Sequence, residues 1–179
     1  VYAIGEVAAV EGRCYGLVGP GYATAEVVAD QLVGGDATFP GADLSTRLKL
    51  LGVDVASFGD AHGATPGSLP VVVSDPIGGT YAKLVLSDDA STLLGGVLVG
   101  DASSYGMLRP LVGSTLPGDP VGLISPAAEG GSTLGVGALP DDAQICSCND
   151  VSKATLCAAI ADGSCTVAEL KGCTGAGTA

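Results

Sequence analysis

Two cysteines one residue apart, Cys146 and Cys148, are the side chains of this sequence best suited to chemistry. Thiolates are strong ligands for iron–sulfur clusters and for zinc. Two of them in a loop just ahead of a helix can face one metal centre, and the positive end of the helix dipole favours their charge. Neighbours this close do not readily bridge each other, because a disulfide would strain the residue between them. On spacing alone the pair reads either as half of a metal site or as two structural thiols. A four-sulfur site needs two more ligands. Cys157 falls with Val151, Ala154 and Ala158 on the apolar side of a helical pattern, which predicts a core position. Cys165 falls in a turn, and Cys173 stands near the terminal loop, where it stays open as a ligand. Cys14 has no partner at ligand spacing and reads as a buried thiol.

A second candidate lies at the other end. Val1-Tyr2-Ala3-Ile4 is a short apolar run that stops at Gly5-Glu6, the pattern of a strand opening into a loop. Taken by itself, such a segment reads as an ordinary strand end followed by a loop. His62 is the single histidine and sits in a Gly/Asp loop, which suits a surface or hydrogen-bonding role better than catalysis. Asp88-Asp89 reads as a solvated turn, and Asp141-Asp142 as a cap or solvated approach to the cysteine loop. No nucleophile elbow accompanies the Ser, His and Asp residues, so hydrolase chemistry carries little weight and no catalytic residue is assigned.

Three zones must position these residues. In the first, residues 1–41, Gly19-Pro20-Gly21 precedes a helix over about residues 20–33, with Tyr22, Ala25, Ala29, Leu32 and Val33 on one face and Gly34-Gly35 as its stop. The second, residues 42–124, alternates apolar and polar residues. It predicts an antiparallel β-meander with a short helix near 103–112. Leu48/Leu50 and Val53/Val55 alternate on either side of Leu51-Gly52, where a bulge would fit. Ala82, Leu84 and Leu86 share a face, and Leu93 to Gly100 is a further strand. Residues 125–142 carry glycines, two prolines and no periodicity, and read as a linker. In the third zone, residues 143–179, a helix is expected over 151–161. Thr166-Val167-Ala168-Glu169 is a capping box opening a second helix that Gly172 ends. The fold class is α+β.

Composition narrows the function. Gly and Pro number 29 and 10 of 179 residues, but hydrophobic residues make up 47%, enough for a core. The net charge is −12 with a pI near 4.1, which sets the chain against phosphate backbones and anionic bilayers, so neither nucleic acid nor membrane is an expected partner. A mean hydropathy of +0.49 is not concentrated in any run of the ~18 apolar residues a spanning helix needs. No basic segment followed by an apolar one is visible, and the expectation is a cytoplasmic protein whose thiols are reduced or metal-bound. The chain opens at Val1 and closes at Ala179, and it reads as a piece of a longer polypeptide.

Longer patterns carry a resemblance. Ile145-Cys146-Ser147-Cys148-Asn149-Asp150-Val151-Ser152, then a helix, a turn, Thr166 to Lys171 and Thr174-Gly175-Ala176-Gly177-Thr178, closely resembles the 2Fe–2S domain of the bacterioferritin-associated ferredoxin type. That family holds its cluster with four cysteines in a C-x-C…C-x-x-C arrangement, the second pair following the second helix. The resemblance implies that Cys146 and Cys148 are the first two ligands, that the other two follow Ala179 closely, and that Cys173 is not a ligand. Tyr2-Ala3-Ile4-Gly5-Glu6 resembles the last flavin-contacting motif of flavoprotein reductases with two dinucleotide domains, usually Y-A-x-G-D. It implies an FAD contact at Gly5 and Glu6, with Glu where Asp is usual, and places the following helix beside the flavin ring.

In this order, together with Ser45 to Val55, Gly59-Asp60-Ala61-His62-Gly63 and Leu94 to Asp101, the pieces resemble the large subunit of assimilatory-type NAD(P)H nitrite reductase. The β zone is similar to the small C-terminal domain of rubredoxin-reductase-like flavoproteins. The resemblance implies NAD(P)H as donor, FAD and a 2Fe–2S cluster as carriers, and a sirohaem and 4Fe–4S portion elsewhere in the parent. It also implies the remaining flavin and sirohaem domains and a small subunit as partners. The alternatives are the electron-transfer subunit of an assimilatory nitrate reductase and a non-enzymatic zinc-binding module. If the reading holds, the chain end returns to Cys146 and Cys148, and the helix over 20–33 leaves an apolar face open.

Overall fold

The computed structural model describes residues 1–125, 135–146 and 148–178. The chain divides into two compact units, Val1–Leu44 and Ser45–Ala179, the first boundary falling three residues beyond the expected one.

In the first unit, a single 3-10 turn over Gly5–Val7 leads to a small hairpin of β1 (Ala9–Val10) and β2 (Arg13–Cys14). Residues 1–4 do not form the expected strand. A strand satisfies its backbone through a neighbour, and no described residue pairs with this segment. Helix α1 (Val18–Leu32) begins two residues before the expected start. Pro20 is accommodated because it falls in the first turn, where an amide has no intrahelical acceptor to lose. At the other end, Asp30 Oδ2 accepts from the Ala37 amide at 2.9 Å and Gln31 Nε2 donates to the Ala37 carbonyl at 2.7 Å, folding the chain back after Gly34-Gly35. Tyr22, Leu32 and Val33 stand in solvent at 69%, 67% and 86% exposure, so the helix does keep apolar residues uncovered. Cys14 is exposed and not the buried thiol expected.

The second unit is built on an antiparallel sheet of β3 (Thr46–Leu50), β4 (Val53–Gly59), β5 (Leu69–Asp75), β6 (Thr80–Leu86) and β7 (Leu93–Gly100). Their order is β3-β4-β7-β6-β5, which corrects the simple meander: the last strand inserts between β4 and β6. Leu51-Gly52 is likewise not a bulge. Their φ angles of 52° and 87° make a two-residue hairpin turn that pairs Leu50 with Val53, and the positive φ at both positions suits the right-handed strand twist. Glycine at position 52 is what makes that turn inexpensive.

The central strand shows why β7 sits where it does. Phe58 of β4 pairs with Gly96 of β7, and a Cβ on Gly96 would lie 2.8 Å from Phe58 Cζ and 2.6 Å from the Lys83 carbonyl. The ring, 1% exposed, occupies the space the glycine leaves. Leu84, Leu86, Leu93 and Leu98 complete this face. It is covered by α2 (Tyr105–Leu108), the 3-10 turn Arg109–Leu111 and α3 (Pro120–Ile124), which contribute Leu108, Leu111, Leu123 and Ile124. Tyr105 meets the Phe58 ring edge-on at 6.0 Å. The helix expected over 103–112 is therefore a single α turn continued as 3-10, with Pro110 at its second turn.

Of the expected linker, residues 126–134 lie outside the described residues. The stretch after them includes a 3-10 turn over Val136–Ala138, and Leu139 and Ala143, each 4% exposed, belong to the same hydrophobic core as the sheet. There follow β8 (Gln144–Cys146), β9 (Val151–Ser152), α4 (Lys153–Ala161) and α5 (Val167–Thr174). The capping box on α5 forms as read: Thr166 Oγ1 accepts from the Glu169 amide and Glu169 Oε2 accepts from the Thr166 amide. The helix runs through Gly172, against expectation, and stops at Gly175, whose φ is 74°. Neither α4 nor α5 has a buried residue, and Cys157 is exposed, not in a core. No helix among the described residues is long and apolar enough to cross a membrane.

Candidate functional site

Cys146 ends β8, and β9 starts at its cross-strand partner Val151, so Cys146 opens the turn of a short hairpin and Cys148 lies within that turn. Three anchors hold that hairpin. Val151 is 3% exposed and sinks its side chain into the unit. The Lys153 amide donates to the Ala143 carbonyl at 2.9 Å and the Ala154 amide to the Asp141 carbonyl at 2.8 Å, tying the start of α4 to the chain ahead of β8. Lys153 Nζ donates to the Leu139 carbonyl at 2.6 Å and pairs with Asp141 at 3.1 Å. Asp141 thus braces the approach to the cysteine loop.

Polar side chains fix the tip. Arg109 Nη2 donates to Gln144 Oε1 at 3.3 Å, and Gln144 Nε2 donates to Asp150 Oδ1 at 2.7 Å. Asp150 has φ 49°, a left-handed conformation that Asp tolerates better than most residues. Asn149 Nδ2 donates to the Gly175 carbonyl at 2.6 Å and to Thr178 Oγ1 at 3.1 Å, which draws the loop after α5 onto the cysteine turn. There the Gly177 amide donates to Cys146 Sγ at 3.3 Å. That amide, with those of Asn149 and Cys148, holds the Cys146 thiol below the ordinary cysteine range against a small opposing effect of burial.

The structure therefore brings the terminal loop to Cys146. The expectation for the chain end concerned Ala179, which lies outside the described residues, but the residues just before it reach the sulfur. The other thiols do not gather. Cys165 Sγ donates to the Gly163 carbonyl at 3.3 Å, and Cys173 Sγ to the Leu170 carbonyl at 3.6 Å. Cys148 is exposed, and among the described residues no three His, Cys, Asp or Glu side chains converge on one point. Two sulfurs with an amide aimed at one of them fit an iron–sulfur or zinc centre in donor chemistry, and they are half of a four-sulfur set.

At the first unit's candidate site, Gly5 has φ 67° and its amide donates to Thr24 Oγ1 at 3.2 Å, while Thr24 donates to the Gly21 carbonyl at 2.9 Å. Thr24, 7% exposed, is the device that seats the turn on α1. Glu6 is exposed. His62 is exposed, as expected of a surface residue. Sequence reasoning did not single out Thr24, Asn149 or Gly177. The available signals were an asparagine next to C-x-C and a glycine-rich Thr174–Thr178 run, and only the fold shows that they meet.

Residues 45–115, the sheet and its first helical cover, match the family model of the Rubredoxin NAD+ reductase C-terminal domain. The NADH:rubredoxin oxidoreductase of Clostridium acetobutylicum shares the fold, with a TM-score of 0.50 and 22% identity over 66% of this chain and 31% of that one. Over 99% of its length the chain is 53% identical to the nitrite reductase (NADH) large subunit of Escherichia coli (strain K12), of which it spans 22%. The assimilatory nitrate reductase electron transfer subunit of Bacillus subtilis (strain 168) is 31% identical over 97% of the chain and 22% of that protein. The chain spans about a fifth of the length of the nitrite reductase large subunits it matches.

Proposed function

We propose that this chain is the electron-transfer section of an NAD(P)H nitrite reductase, joining the end of an FAD domain to the start of a 2Fe–2S module. The observation that carries the reading is the Gly177 amide on Cys146 Sγ at the tip of a C-x-C hairpin, in a chain 53% identical to such a large subunit. Residues 143–179 form the module, with Cys146 and Cys148 as two of its four ligands. When bound, the cluster takes and passes single electrons. The chain's own residues fix where that happens: Val151 and Lys153 root the hairpin, Gln144 and Asp150 set its tip, and the amides of Gly177 and Asn149 favour negative charge on sulfur.

Gly5 and Glu6 contribute to the FAD site, with Thr24 presenting the Gly5 turn. NAD(P)H is the donor. The sirohaem and 4Fe–4S centres and the site where nitrite becomes ammonia belong to other parts of the parent polypeptide. Those parts and a small subunit are its partners, in the cytoplasm. The identity of 31% to a nitrate reductase electron transfer subunit favours the nitrate reading less than 53% favours nitrite.

The test is made in the longer polypeptide that contains this section. Cys146→Ser and Cys148→Ser should leave bleaching of the flavin by NAD(P)H intact and reduce nitrite consumption to background. Undiminished nitrite consumption in both variants overturns the proposal.

A further inference from the structure

We propose that Asn149 is a positioning residue of the cysteine centre: it clamps the Gly175–Thr178 loop against the cysteine turn so that the Gly177 amide points at Cys146 Sγ. The inference rests on the reading of Cys146 as a cluster ligand for its consequence, though not for its geometry. Four contacts define the clamp. Asn149 Nδ2 spends both its protons across the gap, at 2.6 Å on the Gly175 carbonyl and 3.1 Å on Thr178 Oγ1. Thr178 Oγ1 in turn donates to the Gly175 carbonyl at 2.7 Å, closing a ring over the loop. Gly177, inside that ring, has φ 67° and delivers its amide to sulfur at 3.3 Å.

Among the described residues no other side-chain hydrogen bond joins the loop to the cysteine turn, so the aim of Gly177 depends on Asn149. Within the loop, Gly175, Ala176 and Gly177 have little side chain with which to hold themselves in place. Packing is a weak substitute, since residues 175–178 are half-buried or exposed and α5 has no buried residue. An amide that donates to a ligand sulfur stabilises the more electron-rich state of the centre. Removing the clamp should therefore lower the reduction potential as well as loosen the loop.

Nuclear magnetic resonance on the 15N-labelled chain tests the geometry without any metal. Asn149→Ala should leave the amide shifts of β4, β6 and β7 unchanged. It should move the Gly177 amide proton toward its random-coil position and collapse the heteronuclear NOE of residues 175–178 to that of a free terminus. Asn149→Asp, which keeps the size but removes the two donors, should do the same. An unchanged Gly177 shift and NOE in both variants overturns the clamp. In the longer polypeptide loaded with its cluster, the potential should fall in Asn149→Ala and be restored in part by Asn149→Gln; an unchanged potential overturns the tuning role. Failure of the underlying reading shows differently, as the lack of a cluster in the unsubstituted protein.

Discussion

Arg109 and Gln144, thirty-five positions apart, meet at 3.3 Å between Nη2 and Oε1, and the same Gln144 reaches Asp150 at 2.7 Å. This short chain of hydrogen bonds runs from the helical cover of the sheet to the tip of the cysteine hairpin. It fixes the candidate redox site to the sheet unit, where a loose tether would let the two drift. Gln144→Ala removes both bonds and should cost about 1 kcal/mol, a fall of about 2–4 °C in melting temperature for a chain of this size. Amide exchange should quicken at Cys148–Val151 and stay as it was in β6 and β7.

The glycines of β7 give a sharper contrast. Gly96→Ala places a methyl between the Phe58 ring and the Lys83 carbonyl, neither of which has room to retreat in a central strand. A loss of about 3 kcal/mol or more is expected in denaturant unfolding. Gly106→Ala, inside α2 and with nothing within 4 Å of the new methyl, should instead gain about 0.5–1 kcal/mol. Equal effects at the two sites would contradict the packing described here.

Asp60 gives stability a pH dependence. Its carboxylate accepts the amides of Gly63, Ala64 and Thr65 at 2.9, 2.9 and 2.8 Å, and these bonds, with Ala64 foremost and the Thr65 hydroxyl next, hold it down to about 2. The folded value lies below the unfolded 3.8, so the contribution is complete above about pH 4 and fades as pH falls toward 2. For so accessible a group it amounts to about 1–2 kcal/mol. Asp60→Asn should therefore destabilise at pH 7, and the gap from the parent chain should close between pH 4 and 2 in thermal melts.

Much of the sheet was legible because side-chain alternation reports burial directly: Ala82, Leu84 and Leu86 share a buried face, and Leu93 to Gly100 is one strand. Alternation reports nothing about partners. It runs with the same period up to and beyond Leu51-Gly52, so a hairpin turn and a bulge look alike, and insertion of β7 between β4 and β6 is a non-local pairing with no local mark. Thiol burial misled in the same way. Cys157 shares a helical face with alanines, but α4 buries no residue, so an apolar face was not a core face. At the site, spacing alone singled out Cys146 and Cys148. The Gly177 amide that bonds Cys146 is thirty-one positions away, and closeness across that distance is a property of the fold.

The most direct measurement is iron, acid-labile sulfide and zinc per chain in the longer polypeptide, isolated without oxygen, for the unsubstituted protein and for Cys146→Ser. The substitution should remove about two iron and two sulfide with the matching visible absorption. Cys157→Ser, Cys165→Ser and Cys173→Ser should remove none. Zinc bound at these two cysteines, or iron content indifferent to Cys146, would contradict it.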